Sequence, residues 1–226
     1  MDEFVSGHCW KSIGSHFATA IRLDKTFKRG RLTASLRITF RAVESTNKLN
    51  SLLAWRMTYN DFMHQIVIRY ANEPDLPALG RLGALLLRTH YGFDQQRFMA
   101  PHANTAEGYA WFLGSQLGKQ DVVVLVAEQL GTIVGYVYAG LEPQSWKELR
   151  EASGFIHDVV VEESSRGKGI AASLLQRAIE WLRAHGAPRV VLWTAEQNAA
   201  AQHLFSRIGF RRTMVEMTLE VRKDER

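Results

Sequence analysis

The residues with the clearest chemical meaning lie in a polar loop that leads through two glycines into a long helical pattern. Glu162 to Arg166 follow an apolar strand pattern, and Gly167 and Gly169 precede apolar residues at helical spacing. Backbone N–H groups at the start of a helix lack partners and the helix dipole is positive there, so they bind anions. Glycine lets a pyrophosphate approach closely, and Arg166 and Lys168 add positive charge. The loop therefore indicates a phosphate-binding site.

Two other nucleotide-binding motifs fit this loop less well. A Walker loop needs Gly-Lys followed by Ser or Thr, whereas Lys168 is followed by Gly169. A dinucleotide fingerprint is nominally matched by Gly167, Gly169 and Ala172, with Glu196 as a ribose ligand. However, the polar residues before the first glycine separate it from its strand, and only 54 residues follow Ala172. A nucleotide-binding dehydrogenase is therefore a distant alternative.

The elements that must position this loop alternate between strand and helix periods. The sequence predicts strands at 66–70, 122–128, 133–141, 155–161, 189–194 and 215–221. It predicts helices at 76–87, 105–117, 167–185 and 198–207, with Gly186 and Gly209 ending the last two. This order predicts an α/β fold in which helices pack on a mixed sheet.

The charge distribution argues against a nucleic-acid partner. Residues 1–64 hold 10 Lys+Arg and 5 Asp+Glu, whereas the rest of the chain holds 18 of each sign, so the net charge of +5 comes from the first quarter. No apolar run approaches the roughly 18 to 20 residues that span a bilayer, so no membrane partner is expected. Cys9 is the single cysteine, which excludes an intrachain disulfide and a Cys-x-x-Cys zinc site. We therefore expect a cytoplasmic protein without a metal.

The first 64 residues differ from the rest of the chain. They show neither a sustained helical nor a sustained strand period, and they are rich in Lys, Arg, Ser and Thr. We interpret 1–64 as a basic N-terminal extension that is poorly ordered or an extended start, with a transit peptide as the alternative. The expected organisation is completed by a domain at 65–222 and a C-terminal tail at 223–226.

Two motifs at a characteristic separation resemble those of the GNAT superfamily of acetyl-CoA-dependent N-acetyltransferases, and loosely its diamine acetyltransferase-like branch. The first, after the strand ending at Val161, is Arg166-x-x-Gly169-x-Ala171. The second is Asn198-x-x-Ala201-x-x-x-Phe205-x-x-x-Gly209-Phe210. The resemblance covers about residues 65–222. It implies a mixed, mostly antiparallel central sheet of six to seven strands with helices on both faces, splayed between the strands at 155–161 and 189–194.

The resemblance also implies where acetyl-CoA binds. Backbone groups of the splayed strand would pair with pantetheine and the acetyl carbonyl, and amides of the glycine loop would hold the pyrophosphate. Asn198 would bind the cofactor arm, although a helix N-cap is an equal alternative that does not exclude it. The full set of implied cofactor-binding residues is Val159, Val160, Val161, Arg166, Gly167, Lys168, Gly169, Ile170, Ala171, Ala172, Asn198, Ala201 and Phe205.

Acetyl transfer to an amine needs a group that accepts a proton, because an ammonium has no lone pair. His157 stands where related diamine enzymes carry a Glu, and a neutral imidazole can accept that proton. Strand alternation predicts that the neighbouring Asp158 points to the opposite face and orients another group. His157 and Asp158 are therefore the candidate catalytic residues.

The resemblance implies direct transfer of the acetyl group from acetyl-CoA to a primary amine of a small molecule or protein in a ternary complex. A homodimer is compatible with this resemblance. The acceptor is expected near residues 88–104 and 141–153. Phe205 departs from the superfamily pattern, because a Tyr often stands there and protonates the leaving thiolate. A non-catalytic acyl-CoA-binding sensor or interaction module is therefore the alternative function.

Overall fold

The computed structural model describes the strands at residues 8–12, 17–28 and 31–42 and the whole of residues 66–221. The chain divides into two compact units, Met1–Gln65 and Ile66–Arg226. The candidate site residues named above all belong to the second unit.

The first unit contains a three-stranded antiparallel sheet in the order β1-β2-β3. Its strands are β1 (His8–Ser12), β2 (Phe17–Lys28) and β3 (Arg31–Ala42), and β2 pairs with β3 over their full length. The sequence predictions above include no strand in this unit, so these three strands were missed. A local pattern that favours a strand does exist, because apolar residues occupy every second position from Leu32 to Ala42. The expectation of a poorly ordered extension or extended start stays a prediction.

Within residues 66–221, the second unit contains five strands, four helices and two short 3-10 turns. Its strands are β4 (Ile66–Tyr70), β5 (Val122–Gln129), β6 (Thr132–Glu142), β7 (Ser153–Val161) and β8 (Val190–Leu192). Its helices are α1 (Leu76–Phe93), α2 (Thr105–Gly114), α3 (Ile170–Ala184) and α4 (Ala199–Ile208). The 3-10 turns are Glu73–Asp75 and Glu163–Ser165.

The five strands form one sheet in the order β4-β5-β6-β7-β8. Neighbours from β4 to β7 are antiparallel, and β8 joins β7 in parallel. The predicted mixed, mostly antiparallel sheet is confirmed. The predicted count of six to seven strands is not, because the sheet within residues 66–221 has five.

The missing member is the predicted strand at 215–221. Residues 210–221 belong to no strand, and the large apolar side chains from Met214 to Val221 are 67% to 87% exposed. Alternating apolar and polar residues favour a strand, but a strand also needs a neighbour whose backbone it can pair with. Here Glu216 forms an ion pair with Arg97, and Arg212 forms one with Glu196.

Helices cover both faces of the sheet, as predicted, because the buried strands are apolar on both sides. On one face, Leu79 and Leu82 of α1 and Leu113 of α2 pack with Tyr136 and Tyr138 of β6. On the other face, α3 and α4 cover alternate positions of the same strands. The buried residues of this second cluster include Val123, Leu125, Val137, Ile156, Ile170, Leu174, Leu175, Leu182 and Phe205.

An ion pair fixes the start of α1 against β4. Asn72 caps the start of the 3-10 turn that leads into α1, and its N–H donates to Asp75 at 2.9 Å. Asp75 is buried at 6% exposure and accepts two bonds from the Arg69 guanidinium, at 2.7 and 2.9 Å. Arg69 also donates to Glu128 of β5 at 2.8 Å. This network joins α1 to two strands of the sheet.

Candidate functional site

A β-bulge in β7 places His157 and Asp158 on the same side of the sheet. The register between β6 and β7 shifts here: Asp158 pairs with Tyr138 and Ile156 pairs with Ala139, which leaves His157 as the extra residue. The Asp158 carboxylate reaches Tyr136, and the His157 ring reaches Tyr138. Tyr136 and Tyr138 project from one face of β6, because they are two residues apart. The prediction that Asp158 points to the opposite face is therefore wrong.

Asp158 lies in surroundings that favour its protonated form. Burial raises the pKa of its carboxyl to about 6, while a hydrogen bond from Tyr136 and the nearby His90 act in the opposite direction. The Tyr136 hydroxyl donates that bond at 3.0 Å, and burial raises the pKa of Tyr136 well above its ordinary value. The carboxyl of Asp158 can therefore gain or lose a proton near neutral pH, whereas Tyr136 stays protonated.

His157 is held between two aromatic rings. Its imidazole stacks on Tyr138 at 4.6 Å and on Phe155 at 4.9 Å between ring centroids. Its Nε2 lies 3.4 Å from Oε1 of Glu142, at the end of β6. Burial lowers the pKa of His157, and the negative charge of Glu142 opposes this effect. The imidazole is therefore neutral at neutral pH and can accept a proton.

The strands β7 and β8 separate beside His157. Their parallel pairing covers only Gly154–Val190, Phe155–Val191 and Ile156–Leu192, although β7 continues to Val161. The paired region thus ends at the bulge, which is where the family resemblance implies a splay. The side chain of His157 is only 28% exposed, although the residue as a whole is exposed. The accessible part of His157 is therefore its main chain. Backbone groups of β7 that β8 does not pair are available to a ligand.

The glycine loop forms the start of α3. Gly167 and Gly169 have φ angles of +76° and +79°, and a Cβ added at either position would meet no heavy atom within 4 Å. These φ angles require glycine, and the space that a side chain would fill is open. The first hydrogen bonds of the helix run from Ser173, so the amides of Ile170, Ala171 and Ala172 precede them. The loop can therefore hold an anion with backbone amides.

The basic residues of this loop differ in their contacts. The Nε of Arg166 donates to the carbonyl of Val161 at 3.1 Å, which ties the loop to the end of β7. Its guanidinium also lies 3.9 Å from Glu163. Lys168 is exposed beside the open side of the turn. Arg166 therefore shapes the loop, and both residues place positive charge near the free amides.

Asn198 caps α4. Its Oδ1 accepts the N–H of Ala201 at 3.2 Å, which is the N-cap role considered for it. Phe205 is 7% exposed and packs in the core beside Phe210, at 6.0 Å between ring centroids. Ala201 packs against the same cluster. Of these three, Asn198 has the polar group that could reach a ligand, through an amide nitrogen that the cap does not use.

Sequence reasoning did not select Glu142 or Tyr136 as partners of the candidate catalytic residues. Glu142 was placed only within the expected acceptor region at 141–153. The bulge at His157 brings both residues to the site, and nothing in the local spacing of β7 marks a bulge. The β6 alternation that places Tyr136 and Tyr138 on one face was the available signal.

Within the described ranges, no group of three or more His, Cys, Asp or Glu side chains is arranged to hold a metal ion. None of the helices described is long and apolar enough to cross a membrane.

Comparison with known proteins places this arrangement in a family. Residues 85–210 match the model of the acetyltransferase (GNAT) family, which is more than half of the chain. An uncharacterized N-acetyltransferase of Methanocaldococcus jannaschii is 28% identical over 126 residues, 56% of this chain and 53% of that protein. An L-methionine sulfoximine/L-methionine sulfone acetyltransferase of Pseudomonas aeruginosa is 35% identical over 107 residues, 46% of this chain and 59% of that protein. The chain thus spans less than two thirds of the length of these two relatives.

Solved structures share the fold. A protein of Bacillus halodurans aligns with a TM-score of 0.59 at 22% identity, and the alignment covers 69% of this chain and 99% of that protein's chain. An aminoglycoside N-acetyltransferase solved in complex with CoA aligns with a TM-score of 0.53 at 17% identity, covering 71% of this chain and 95% of its own.

Proposed function

The chain belongs to the acetyltransferase (GNAT) family, and from this premise we propose that it is an N-acetyltransferase that moves an acetyl group from acetyl-CoA to a primary amine. One observation carries the proposal. The pairing of β7 with β8 ends at Ile156, and a short 3-10 turn joins the end of β7 to the open glycine turn of α3. An extended thioester arm and a pyrophosphate need these two features side by side.

The cofactor-binding residues follow from this placement. The amides at the start of α3 would hold the pyrophosphate, with Arg166 and Lys168 adding charge. Backbone groups of Val159, Val160 and Val161 that face away from β6, where β8 does not pair with them, would bind the pantetheine arm. Asn198 would offer its amide nitrogen to the same arm, with Ala201 and Phe205 forming the wall behind it. The contacts to the pyrophosphate would come from Gly167, Lys168, Gly169, Ile170, Ala171 and Ala172.

The nitrogen of an ammonium substrate loses two protons in the transfer. The first leaves before the attack and frees the lone pair. The nitrogen then attacks the carbonyl carbon of the acetyl group, the new C–N bond forms, and the C–S bond breaks. The second proton leaves the nitrogen as the amide forms and ends on the CoA thiolate. His157 would accept the amine proton, because its imidazole is neutral and lies at the mouth of the splay. Asp158, with a pKa of about 6 and a bond from Tyr136, would serve as a second proton acceptor or orient the amine. Together they supply a base without a metal.

The acceptor is a primary amine of a small molecule or a protein. The expected acceptor regions, 88–104 and 141–153, contribute His90 and Glu142 near the candidate bases. The relative from Pseudomonas aeruginosa is named for acetylation of amino-acid analogues, which supports a small amine. The proposed partners are acetyl-CoA and this amine, and a homodimer is compatible. We propose that the protein has no nucleic-acid partner and no membrane partner. We also propose a cytoplasmic location.

Calorimetric titration with acetyl-CoA, NAD and ATP tests the binding half of the proposal. We expect saturable binding of acetyl-CoA and none of NAD. Binding of NAD without acetyl-CoA would overturn it and restore the dehydrogenase alternative. The relatives are named as acetyltransferases, and no finding supports a non-catalytic acyl-CoA module.

A further inference from the structure

The plane of the His157 ring is fixed by its neighbours. Tyr138 and Phe155 are 9% and 6% exposed, and each lies within 24° of parallel to the imidazole. Trp193 adds an edge-on contact to Phe155 at 5.1 Å. These stacked neighbours restrict tilting of the imidazole, and in this arrangement its Nε2 lies beside Glu142.

One nitrogen of this ring faces a carboxylate. Nε2 lies 3.4 Å from Oε1 of Glu142, slightly beyond a typical N–H···O distance. Gly140 of β6 also lies near this nitrogen, because a Cβ added there would be 3.9 Å from Nε2, an ordinary van der Waals distance. Hydrogen bonds in active sites commonly shorten when substrates bind.

The other groups packed around His157 do not compete for its nitrogens. On β6, Tyr138 stays protonated, because burial raises its pKa. On β7, Asp158 is bonded to Tyr136, and Phe155 is apolar. Glu142 is thus the carboxylate that acts on the charge of the imidazole, raising its pKa against the opposite effect of burial.

We propose that Glu142 is a positioning residue that holds the proton on Nε2 of His157, so that Nδ1 is the atom that accepts the proton of the amine. A neutral imidazole has one N–H donor and one acceptor nitrogen, and the partner of the N–H selects the tautomer. When Nδ1 takes up the proton, the ring becomes an imidazolium whose charge the Glu142 carboxylate stabilises. The assignment of the base rests on the proposed function, whereas the tautomer does not.

Nuclear magnetic resonance of nitrogen-15-labelled histidine tests the tautomer without any activity. We expect His157 in the full chain at neutral pH to be protonated on Nε2, and Glu142→Leu to give a mixture of tautomers. His157→Ala identifies the signal, and Glu151→Leu is the control, because Glu151 is exposed on the connection that follows Glu142 and leads to β7. A wild-type ring protonated on Nδ1, or one unchanged by Glu142→Leu, overturns the proposal.

Kinetics test the role in catalysis. Glu142→Leu should lower kcat by about 10-fold with little change in KM for acetyl-CoA, and Glu142→Gln should retain most of kcat, because its amide oxygen still accepts the Nε2 proton. The acidic limb of the kcat/KM profile should move to lower pH in Glu142→Gln, because the carboxylate no longer raises the pKa of His157. In a His157→Ala background, Glu142→Leu should have no further effect. A second loss of similar size there would mean that Glu142 acts on the acceptor directly and would overturn the proposal.

The two tests separate the possible failures. If the tautomer is as expected and no amine is acetylated, the proposed function fails while the positioning by Glu142 stands. If acetylation occurs and the tautomer is not as expected, the proposal for Glu142 fails alone.

Discussion

The hydroxyl of Tyr136 donates a hydrogen bond of 3.0 Å to Oδ2 of Asp158, and the two groups meet beneath the bulge of β7. Among the described residues, this is the one hydrogen bond that the Asp158 carboxyl accepts. It does not offset the cost of burying the negative charge of the carboxylate. As a result, the pKa of Asp158 rises to about 6.

The stability of the protein should therefore depend on pH through Asp158. Its pKa is higher in the folded than in the unfolded chain, so its favourable contribution is complete below about pH 4 and is lost as the pH rises through about 6. Asp158→Asn keeps the volume and the bond with Tyr136. We expect it to raise the free energy of unfolding at pH 7 by about 3 kcal/mol and to leave it nearly unchanged at pH 4. Urea unfolding at both pH values measures this, and equal effects at both would contradict it.

The glycine turn gives a prediction for binding. Gly169→Val should remove acetyl-CoA binding, because the branched side chain occupies the open space above the free amides of α3. The substitution also strains the backbone, since φ is +79° there. Gly186→Val is a matched control, with φ of +84° and open space at the other end of α3. Calorimetry should show binding in the control and none in Gly169→Val; equal affinity would mean that the cradle is misplaced.

The buried Asp75 gives a prediction for stability. Its bonds from Arg69 hold the pKa of this carboxyl below its ordinary value, so its contribution is present above about pH 4 and is lost as the pH falls below. Asp75→Ala leaves the Arg69 charge without its main partner and should cost about 3 kcal/mol at pH 7. Glu73→Ala, in the same turn but exposed, should cost far less. Equal losses from both changes in urea unfolding would refute this account of the network.

The boundary of the proposed domain can be tested by shortening the chain. A protein that begins at Met63 should be soluble, unfold in one cooperative step and bind acetyl-CoA with the affinity of the full chain, because the described site residues all follow residue 65. Thermal unfolding and calorimetry provide the measurements. Insolubility or weaker binding would mean that residues 1–62 contribute to the domain.

Much of the second unit is predictable from the sequence because its elements carry strong periods. The apolar stripe of α3, the continuous apolar run of β6 and the caps at Asn198 and Gly209 each follow from local residue types. The splay between β7 and β8 followed from the family resemblance rather than from any period. These features are enough to locate the phosphate cradle.

The geometry around the bases was not predictable in the same way. A bulge depends on how two strands pair, so the sequence around His157 alone could not show that Asp158 shares its face. The strand prediction for residues 215–221 is wrong for a related reason. The alternation of apolar and polar residues there fits the period of a strand, but it does not specify a neighbouring strand to pair with. The contact between Glu142 and His157 likewise depends on the register between β6 and β7.

The most direct test of the central claim is to incubate the full chain with acetyl-CoA and a panel of primary amines. Release of CoA thiol and the mass of each amine are followed together. We expect thiol release in step with the gain of one acetyl group on at least one amine, and neither with Gly169→Val. Thiol release no faster than without protein, and no acetylated amine from a chain that binds acetyl-CoA, would contradict the claim.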